Sequence, residues 1–184
     1  MIRVLFICHG SICRSPMGMY YMRALVKEKG LSDRFLIDSA ATSREEIGNP
    51  VYPHARRKLQ KEGIDCTGHR ARKMVAEDYD RYDFIIGMDD ENLEDMYMIC
   101  EGNDPYSGGF WRRDMRNAKP KRSIDHIKDP IERRGQEICL LLDYTSRPGE
   151  VADPWYTGNF EATWRDVSEG CQAFLDYLVL NNWI

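Results

Sequence analysis

The sequence predicts an α/β fold: a four-stranded parallel sheet with helices on both of its faces. Four short apolar runs, each of the length of one buried strand, recur along the 184 residues. Segments with helical spacing separate these runs, and such an alternation is typical of parallel sheets covered on both sides. Because 42% of the residues are hydrophobic, the chain can bury one well-packed core, and we expect residues 1–184 to form a single domain.

The first strand is predicted from Arg3 to Cys8, because an unbroken Val-Leu-Phe-Ile run precedes a glycine-containing loop. A helix is then predicted to open at Ser15-Pro16 and to stop near Gly30, since serine is a good N-cap and proline is tolerated at the first helical position. Ligands of such sheets bind beyond the carboxyl ends of the strands, which is where Cys8 falls.

The later elements continue the alternation. Buried apolar runs predict strands over Phe35 to Ala41, Asp83 to Met88 and Ile138 to Tyr144. Helical spacing and glycine stops predict helices over His54 to Glu62, Val75 to Tyr82, Asp90 to Met98 and Phe160 to Asn181. Residues 101–136 fit no element, because prolines and a Gly-Gly pair interrupt them, and we interpret them as a polar and basic insertion within the domain.

Composition narrows the possible functions. The net charge is −4, and the basic residues between Arg112 and Arg122 form only a local patch, which argues against nucleic-acid binding. No apolar run reaches the length of a signal-peptide core or a membrane span, so we expect a cytoplasmic protein without a membrane partner. The six cysteines form no C-x-x-C pair, which gives a structural metal site little support. Among them, Cys139 and Cys171 have apolar neighbours and are expected to pack in the core.

Two cysteines are followed by arginine six positions later, Cys8 by Arg14 and Cys66 by Arg72. Cys66 follows a polar turn, and no serine-capped helix starts after Arg72, so we interpret this pair as non-catalytic. Cys8 lies between a buried strand and a Ser-Pro helix start. That placement directs backbone N–H groups and the positive end of a helix toward one point, as a phosphate dianion requires.

These surroundings predict phosphate chemistry. The same field stabilises a nucleophilic thiolate at Cys8, and the planar fork of Arg14 can hold two phosphate oxygens. Ser15 can donate a hydrogen bond to the Cys8 sulfur and help it leave, in addition to capping the helix. Asp153 follows the last predicted strand, so it would share the rim of the sheet with Cys8 and could act as general acid.

The segments CHGSICRSP, DSAATS, IGNP, YDFIIGMDDENLEDM and DPWY resemble the low-molecular-weight protein tyrosine phosphatase family. The resemblance covers nearly the whole chain except residues 101–136. It implies a phosphatase domain that hydrolyses phosphotyrosine in proteins or peptides through a phosphocysteine at Cys8. Arg14 would bind the phosphate, Asp153 would serve as acid and then as base for water, and neither a metal nor another cofactor is expected.

The resemblance also assigns phosphate contacts to the rest of the loop, namely His9, Gly10, Ser11, Ile12 and Cys13. Similar proteins use the second loop cysteine to form a reversible disulfide with the nucleophile, which a neighbouring thiol makes chemically reasonable for Cys13. The alternative is that Cys13 only fills the loop.

Two positions depart from the family. Ser11 stands where relatives have asparagine, which tolerates a left-handed backbone better than serine does. The family's supporting network matches Ser43 and His69, which we expect to brace the loop through the Ser11 hydroxyl, although His69 could instead be exposed. Glu45 replaces an aromatic wall of the substrate pocket.

The substitution at Glu45 leaves two possibilities. Either Trp155 and Tyr156 alone supply the wall, or the preferred substrate is basic around its phosphate. Phosphatases that resemble this loop but hydrolyse phosphoarginine carry threonine in place of Ile12 and lack the paired aromatics. Trp155 and Tyr156 therefore favour phosphotyrosine as the substrate. A weakly active phosphoryl-binding or docking module is a further alternative.

The insertion offers a possible protein-binding surface. Phe110-Trp111-Arg112-Arg113 mixes aromatic and basic side chains, as partner-binding surfaces often do. The alternative is a solvated loop.

Overall fold

The structure, a computed structural model, describes residues 1–106 and 137–184. Most of the predicted insertion, including its aromatic and basic motif, therefore lies outside the described residues.

A four-stranded parallel sheet lies at the centre, with the strand order β2-β1-β3-β4. Its strands are β1 (Ile2–Cys8), β2 (Phe35–Ala41), β3 (Phe84–Gly87) and β4 (Glu137–Leu140). The pairing register sets Cys8 beside Ala41 and Gly87 beside Leu140. All four strands therefore end at the same edge of the sheet, and the predicted fold class is confirmed.

Helices cover both faces of this sheet. They are α1 (Arg14–Glu28), α2 (Pro53–Lys61), α3 (Asp78–Arg81), α4 (Asp90–Cys100), α5 (Pro154–Thr157) and α6 (Phe160–Leu180). Alternate residues of β1 point to opposite faces: Val4 and Phe6 pack with residues of α1, α2 and α6, whereas Leu5 and Ile7 pack with residues of α3 and α4. Cys139 and Cys171 are buried among the first set, as predicted.

The first helix begins earlier than predicted. Arg14 is its first residue, and Cys13 occupies the N-cap position without a capping side-chain hydrogen bond. Ser15 is therefore inside the first turn and does not cap the helix. Its hydroxyl instead lies 3.2 Å from the sulfur of Cys8.

Two predicted elements are shorter in the structure, because an aspartate carboxylate accepts a backbone N–H in each. Asp143 accepts from the N–H of Leu140 at 2.9 Å, so β4 ends at Leu140 and Leu141–Tyr144 form a 3₁₀ turn. Asp78 accepts from the N–H of Val75 at 3.0 Å, and the helix predicted over residues 75–82 is reduced to α3. Both carboxylates compete with the regular backbone pattern, as short polar side chains often do.

Candidate active site

The loop between β1 and α1, residues 8–15, lies under a cavity of about 700 Å³. We call it the Cys8 loop. The sulfur-bearing side chain of Cys8 is only 3% exposed and lies at the carboxyl end of a central strand. The cavity is bordered by the Cys8 loop, by the segment after β2, by the start of α4 and by residues 150–156. Segments that follow all four strands thus border one cavity around Cys8.

The contact between Cys8 and Ser15 suits both forms of the sulfur. At 3.2 Å the Cys8 thiol can donate to the Ser15 hydroxyl, and when the sulfur is a thiolate the hydroxyl can donate instead. Ser15 is completely buried, so its hydroxyl has few competing partners. The arrangement therefore places a hydroxyl that can donate a hydrogen bond beside the sulfur of Cys8.

Arg14 is a buried guanidinium held by two carboxylates. Its Nη1 donates to Asp89 at 2.5 Å and its Nη2 lies 2.7 Å from Asp153 Oδ2. Burial by itself would lower the pKa of Arg14, but Asp89, Cys8 and Asp153 outweigh it and raise the pKa above its ordinary value. The guanidinium of Arg14 is therefore charged, and the carboxylates of Asp89 and Asp153 hold it in one orientation.

Asp153 reaches the cavity from the segment before α5. Its Oδ1 caps α5 by accepting the N–H of Trp155 at 2.9 Å, while its Oδ2 faces Arg14. The structure thus brings together the three residues on which the sequence-based hypothesis depends, Cys8, Arg14 and Asp153, around one cavity.

Asp89 is a site residue that the sequence reasoning missed. It caps α4 by accepting the N–H of Asn92 at 2.7 Å and also bonds Arg14. Its position in the sequence could have indicated this role, because Asp89 follows a predicted strand, as Asp153 does, and both therefore lie at the same edge of the sheet.

Ser11 has a left-handed backbone, with φ of 51°, at the position where the family has asparagine. Its side chain is fully buried and points away from the cavity: the hydroxyl lies 3.2 Å from the Ser39 hydroxyl. Its carbonyl accepts a hydrogen bond from Nε2 of His69 at 2.7 Å. His69 is buried rather than exposed, and burial lowers the pKa of its ring.

Ser43 supports the loop by a different route from the predicted one. Its N–H donates to the carbonyl of His9 at 3.0 Å, and its hydroxyl accepts from the N–H of Glu45 at 3.4 Å. The hydroxyl of Ser11 is met by Ser39 instead. The cause is the parallel register of β1 and β2, which places Ser39 behind the loop and was not evident from the sequence.

The rim of the cavity is acidic and aromatic. Glu45 lines it and accepts a hydrogen bond from Nε2 of His9 at 3.1 Å. Trp155 and Tyr156 also line it and are 63% and 86% exposed, so both rings are available to a substrate. Further carboxylates on the rim were not anticipated from the sequence: Glu46, Glu91 and Glu150.

Cys13 is buried in the loop near Cys8. Desolvation and the nearby Cys8 raise the pKa of its thiol, which keeps it protonated. Both cysteines are free thiols in the structure.

The second cysteine-arginine pair forms no such site. Cys66 is buried in the hydrophobic core, and burial raises the pKa of its thiol. Arg72 bonds the carboxylates of Asp38 and Asp78 at 3.0 and 2.8 Å. The surroundings of Cys66 and Arg72 are those of packing and an ion-pair cluster.

The residues just before the undescribed segment contact the Cys8 loop. The hydroxyl of Tyr106 donates to Asp95 at 2.9 Å and lies 3.2 Å from His9 Nδ1 and 3.3 Å from Thr42 Oγ1. Asp104 forms ion pairs with Arg44 and Lys73. The start of the predicted insertion thus contacts the Cys8 loop through Tyr106 and His9, a contact that no sequence motif indicated.

Within residues 1–106 and 137–184, no group of three or more His, Cys, Asp and Glu side chains is placed to hold a metal ion. In the same ranges, no helix combines the length and apolar character that crossing a bilayer requires.

Known proteins are similar to this chain in sequence and in fold. Residues 3–106 match the family model for low molecular weight phosphotyrosine protein phosphatase. The chain is 36% identical to the low molecular weight protein-tyrosine-phosphatase YfkJ of Bacillus subtilis, across 95% of this chain and 94% of that protein. It is 42% identical to the low molecular weight phosphotyrosine protein phosphatase of Homo sapiens, across 94% and 93%. The crystal structure of YfkJ from Bacillus subtilis matches with a TM-score of 0.78 at 32% identity, covering 98% of this chain and 96% of that one.

Proposed function

The chain belongs to the low molecular weight phosphotyrosine protein phosphatase family, and we propose that it hydrolyses phosphotyrosine in proteins or peptides with Cys8 as nucleophile. The observation that carries this proposal is the convergence of Cys8, Arg14 and Asp153 on one cavity, with the Arg14 fork only 2.7 Å from Asp153. Nucleophile, phosphate clamp and acid are the three groups that transfer of a phosphoryl group to a thiolate requires.

In the first step the Cys8 thiolate attacks phosphorus, and the bond from phosphorus to the phenolic oxygen breaks. Arg14 and the backbone N–H groups of the Cys8 loop stabilise the phosphoryl oxygens. The phosphate dianion competes with Asp153 for the guanidinium, which frees the carboxyl group. Once it is released from Arg14, the Asp153 carboxylate takes up a proton from solvent. It donates this proton to the departing phenolic oxygen, and the products are tyrosine and a phosphocysteine.

In the second step Asp153, now a carboxylate, accepts a proton from water. The water attacks phosphorus, the sulfur–phosphorus bond breaks, and inorganic phosphate leaves. The Ser15 hydroxyl, 3.2 Å from the sulfur, donates to the thiolate as it departs. Asp89 keeps Arg14 in place through both steps.

The position of Cys8 at the base of the cavity favours a tyrosine ester. Cys8 is buried while Trp155 and Tyr156 are exposed on the same cavity, so we expect a substrate with a ring between its phosphate and its backbone to use both, whereas the single side-chain carbon of phosphoserine offers no ring to these aromatics. The same two aromatics support phosphotyrosine over phosphoarginine, since a flat ring stacks on them.

The proposal is tested by phosphate release from matched phosphotyrosine, phosphoserine and phosphoarginine peptides under reducing conditions. We expect activity on phosphotyrosine, loss of it in Cys8→Ser, and a loss of about 100-fold or more in Asp153→Asn. Cys66→Ser is the matched control, because Cys66 is also buried and also precedes an arginine by six positions. Equal loss in the two serine variants, or a preference for phosphoarginine, would contradict the assignment.

We also propose a cytoplasmic location, a single phosphatase domain and a protein-binding role for the insertion. The six free cysteines are consistent with a reducing, cytoplasmic location. We propose that residues 1–184 act as one phosphatase domain and that residues 101–136 bind a protein partner. The variant replaces residues 107–136 by a flexible glycine-serine linker, because Tyr106 contacts His9 at the carboxyl edge of the sheet whereas Glu137 starts β4 at the opposite edge. If the segment recruits partners, this replacement lowers activity on protein substrates and leaves activity on a small aryl phosphate unaffected.

A further inference from the structure

The segment that carries Asp153 is hydrogen-bonded to α6 through the residue before it, Ala152, whose backbone N–H and carbonyl both take part. The N–H of Ala152 donates to Asp166 Oδ2 at 3.0 Å, and the carbonyl of Ala152 accepts from the Thr163 hydroxyl at 2.7 Å. Thr163 is completely buried and Asp166 is 3% exposed. These two contacts fix the peptide groups on either side of Ala152, so they limit the freedom of the Asp153 side chain directly.

Asp166 is itself held in one orientation. Its Oδ1 accepts hydrogen bonds from Arg147 at 2.9 Å and from Arg165 at 3.1 Å, which leaves Oδ2 facing Ala152. Burial alone would raise the pKa of Asp166, but the Ala152 N–H and the two arginines outweigh it and lower the pKa. The carboxylate is therefore charged, and charge-assisted hydrogen bonds to backbone N–H groups are among the stronger ones in proteins.

The remaining contacts of the segment show why this anchor matters. Val151 is fixed to the sheet, because its N–H donates to the carbonyl of Met88 at 2.8 Å. Beyond Ala152, the carboxylate of Asp153 contacts Arg14 and its own helix α5, and Arg14 is the contact that a phosphate displaces in the proposed mechanism. Once it is displaced, the position of the acid depends on the Ala152 anchor and on α5.

We propose that Thr163 and Asp166 are positioning residues for the acid step, which hold Asp153 in place through Ala152. The inference rests on the proposed role of Asp153 as general acid. Neither residue lines the cavity, so neither touches the substrate. Their effect is on the placement of the proton donor, and a displacement of about 1 Å in such a group can cost about 100-fold in rate.

The test compares kcat/KM for two aryl phosphates, phenyl phosphate with a poor leaving group and 2,4-dinitrophenyl phosphate with a good one. Only the poor leaving group needs protonation, so misplacing the acid lowers the first value and spares the second. The readout is kcat/KM for phenyl phosphate divided by kcat/KM for 2,4-dinitrophenyl phosphate. Both values are measured on one sample, so their ratio does not change with the fraction of folded enzyme. A general loss of structure therefore leaves the ratio unchanged.

We expect Thr163→Val and Asp166→Ala each to lower the ratio by about 10-fold or more, because each removes one of the two bonds to Ala152. Thr163→Ser keeps the hydroxyl that donates to Ala152, and Asp166→Asn keeps an oxygen that can accept from Ala152. Both variants should therefore retain most of the wild-type ratio. Glu169→Gln is the matched control: Glu169 is also on α6 and bonds Arg147, but it makes no contact with Ala152.

Asp153→Asn separates the inference from the function on which it rests. If this variant lowers the ratio while Thr163→Val and Asp166→Ala keep the wild-type ratio, the acid role stands and the positioning role is overturned. If Asp153→Asn itself keeps the wild-type ratio, the acid role fails and the inference fails with it. A drop in Glu169→Gln equal to that in Asp166→Ala would also overturn the inference, since the effect would then come from the Arg147 cluster.

Discussion

At the scale of single residues, Ser11 combines two features that oppose each other. Its φ of 51° lies in the left-handed region, which serine enters less readily than asparagine. Its hydroxyl nevertheless has a buried partner in Ser39, and its carbonyl has one in His69. The loop is therefore held in its strained shape by neighbours rather than by the preference of its own residue.

We expect Ser11→Asn to leave kcat/KM for a phosphotyrosine peptide unchanged or to raise it, because asparagine adopts this backbone more easily. Steady-state kinetics measure the effect. Ser39→Ala is the informative partner, since it removes the hydroxyl contact and leaves the backbone preference as it was. A large loss in Ser11→Asn, matched by an equal loss in Ser39→Ala, would mean that the serine pair itself is required.

The sequence was sufficient to locate Cys8, Arg14 and Asp153, but not to predict the side-chain contacts that depend on strand order and register. Cys8 and Arg14 share one loop, and Asp153 could be placed because it follows a strand. Asp89 reaches Arg14 only because β3 lies next to β1. Ser39 meets Ser11 only through the register of β1 and β2. Neither the order nor the register can be read from the periodicity of one sequence.

At the scale of elements, α6 packs unusually closely against the turn that follows β4. A Cβ added at Gly170 would lie 2.5 Å from Leu141 Cγ and 3.1 Å from its two methyl carbons. Both residues are buried, so the leucine has little room to move. The glycine therefore allows a close approach, and this outweighs the lower helix propensity of glycine.

We expect Gly170→Ala to lower the free energy of unfolding by about 1 kcal/mol, although alanine alone would stabilise the helix by about 1 kcal/mol. The overlap with Leu141 costs about 1–3 kcal/mol, which is larger. Urea denaturation measures the change. Ser168→Ala, at a partly exposed position of the same helix, serves as control and should be neutral or slightly stabilising. Stabilisation in both variants would show that the packing is looser than described.

The extents of elements were harder to predict than their presence. The buried runs in β1 and β3 identified their strands directly, because both faces of the sheet are covered. The ends of β4 and α3 depend on the carboxylates of Asp143 and Asp78, each of which accepts a backbone N–H three residues earlier. Such bonds require a particular side-chain rotamer, which residue type alone does not specify.

At the scale of the whole molecule, negative charge collects around the cavity. Four glutamates line its rim, namely Glu45, Glu46, Glu91 and Glu150, and the chain as a whole carries a net charge of −4. An acidic peptide approaching Cys8 meets this field before it reaches Arg14, whereas a basic peptide is attracted by it. We therefore favour substrates that are basic around their phosphotyrosine.

We expect phosphotyrosine peptides flanked by lysine to have a higher kcat/KM than peptides flanked by glutamate. Glu45→Gln should narrow the preference by about threefold, because an exposed ion pair contributes about 0.5–1 kcal/mol. Added salt should narrow it as well. Glu28→Gln, exposed at the far end of α1, is the control. A preference for acidic peptides that is the same in wild type and Glu45→Gln would contradict this view.

The central claim is that Cys8 accepts the phosphoryl group, and trapping of the intermediate tests it most directly. The enzyme is mixed with a phosphotyrosine peptide, quenched within one turnover in alkaline denaturant, in which the sulfur–phosphorus bond is stable, and digested. The phosphorylated residue is then identified by mass spectrometry. The account predicts one phosphoryl group on Cys8, none on Cys66, and neither labelling nor turnover in Cys8→Ser. Continued phosphate release by Cys8→Ser, or turnover by wild type without a phosphorylated Cys8, would contradict it.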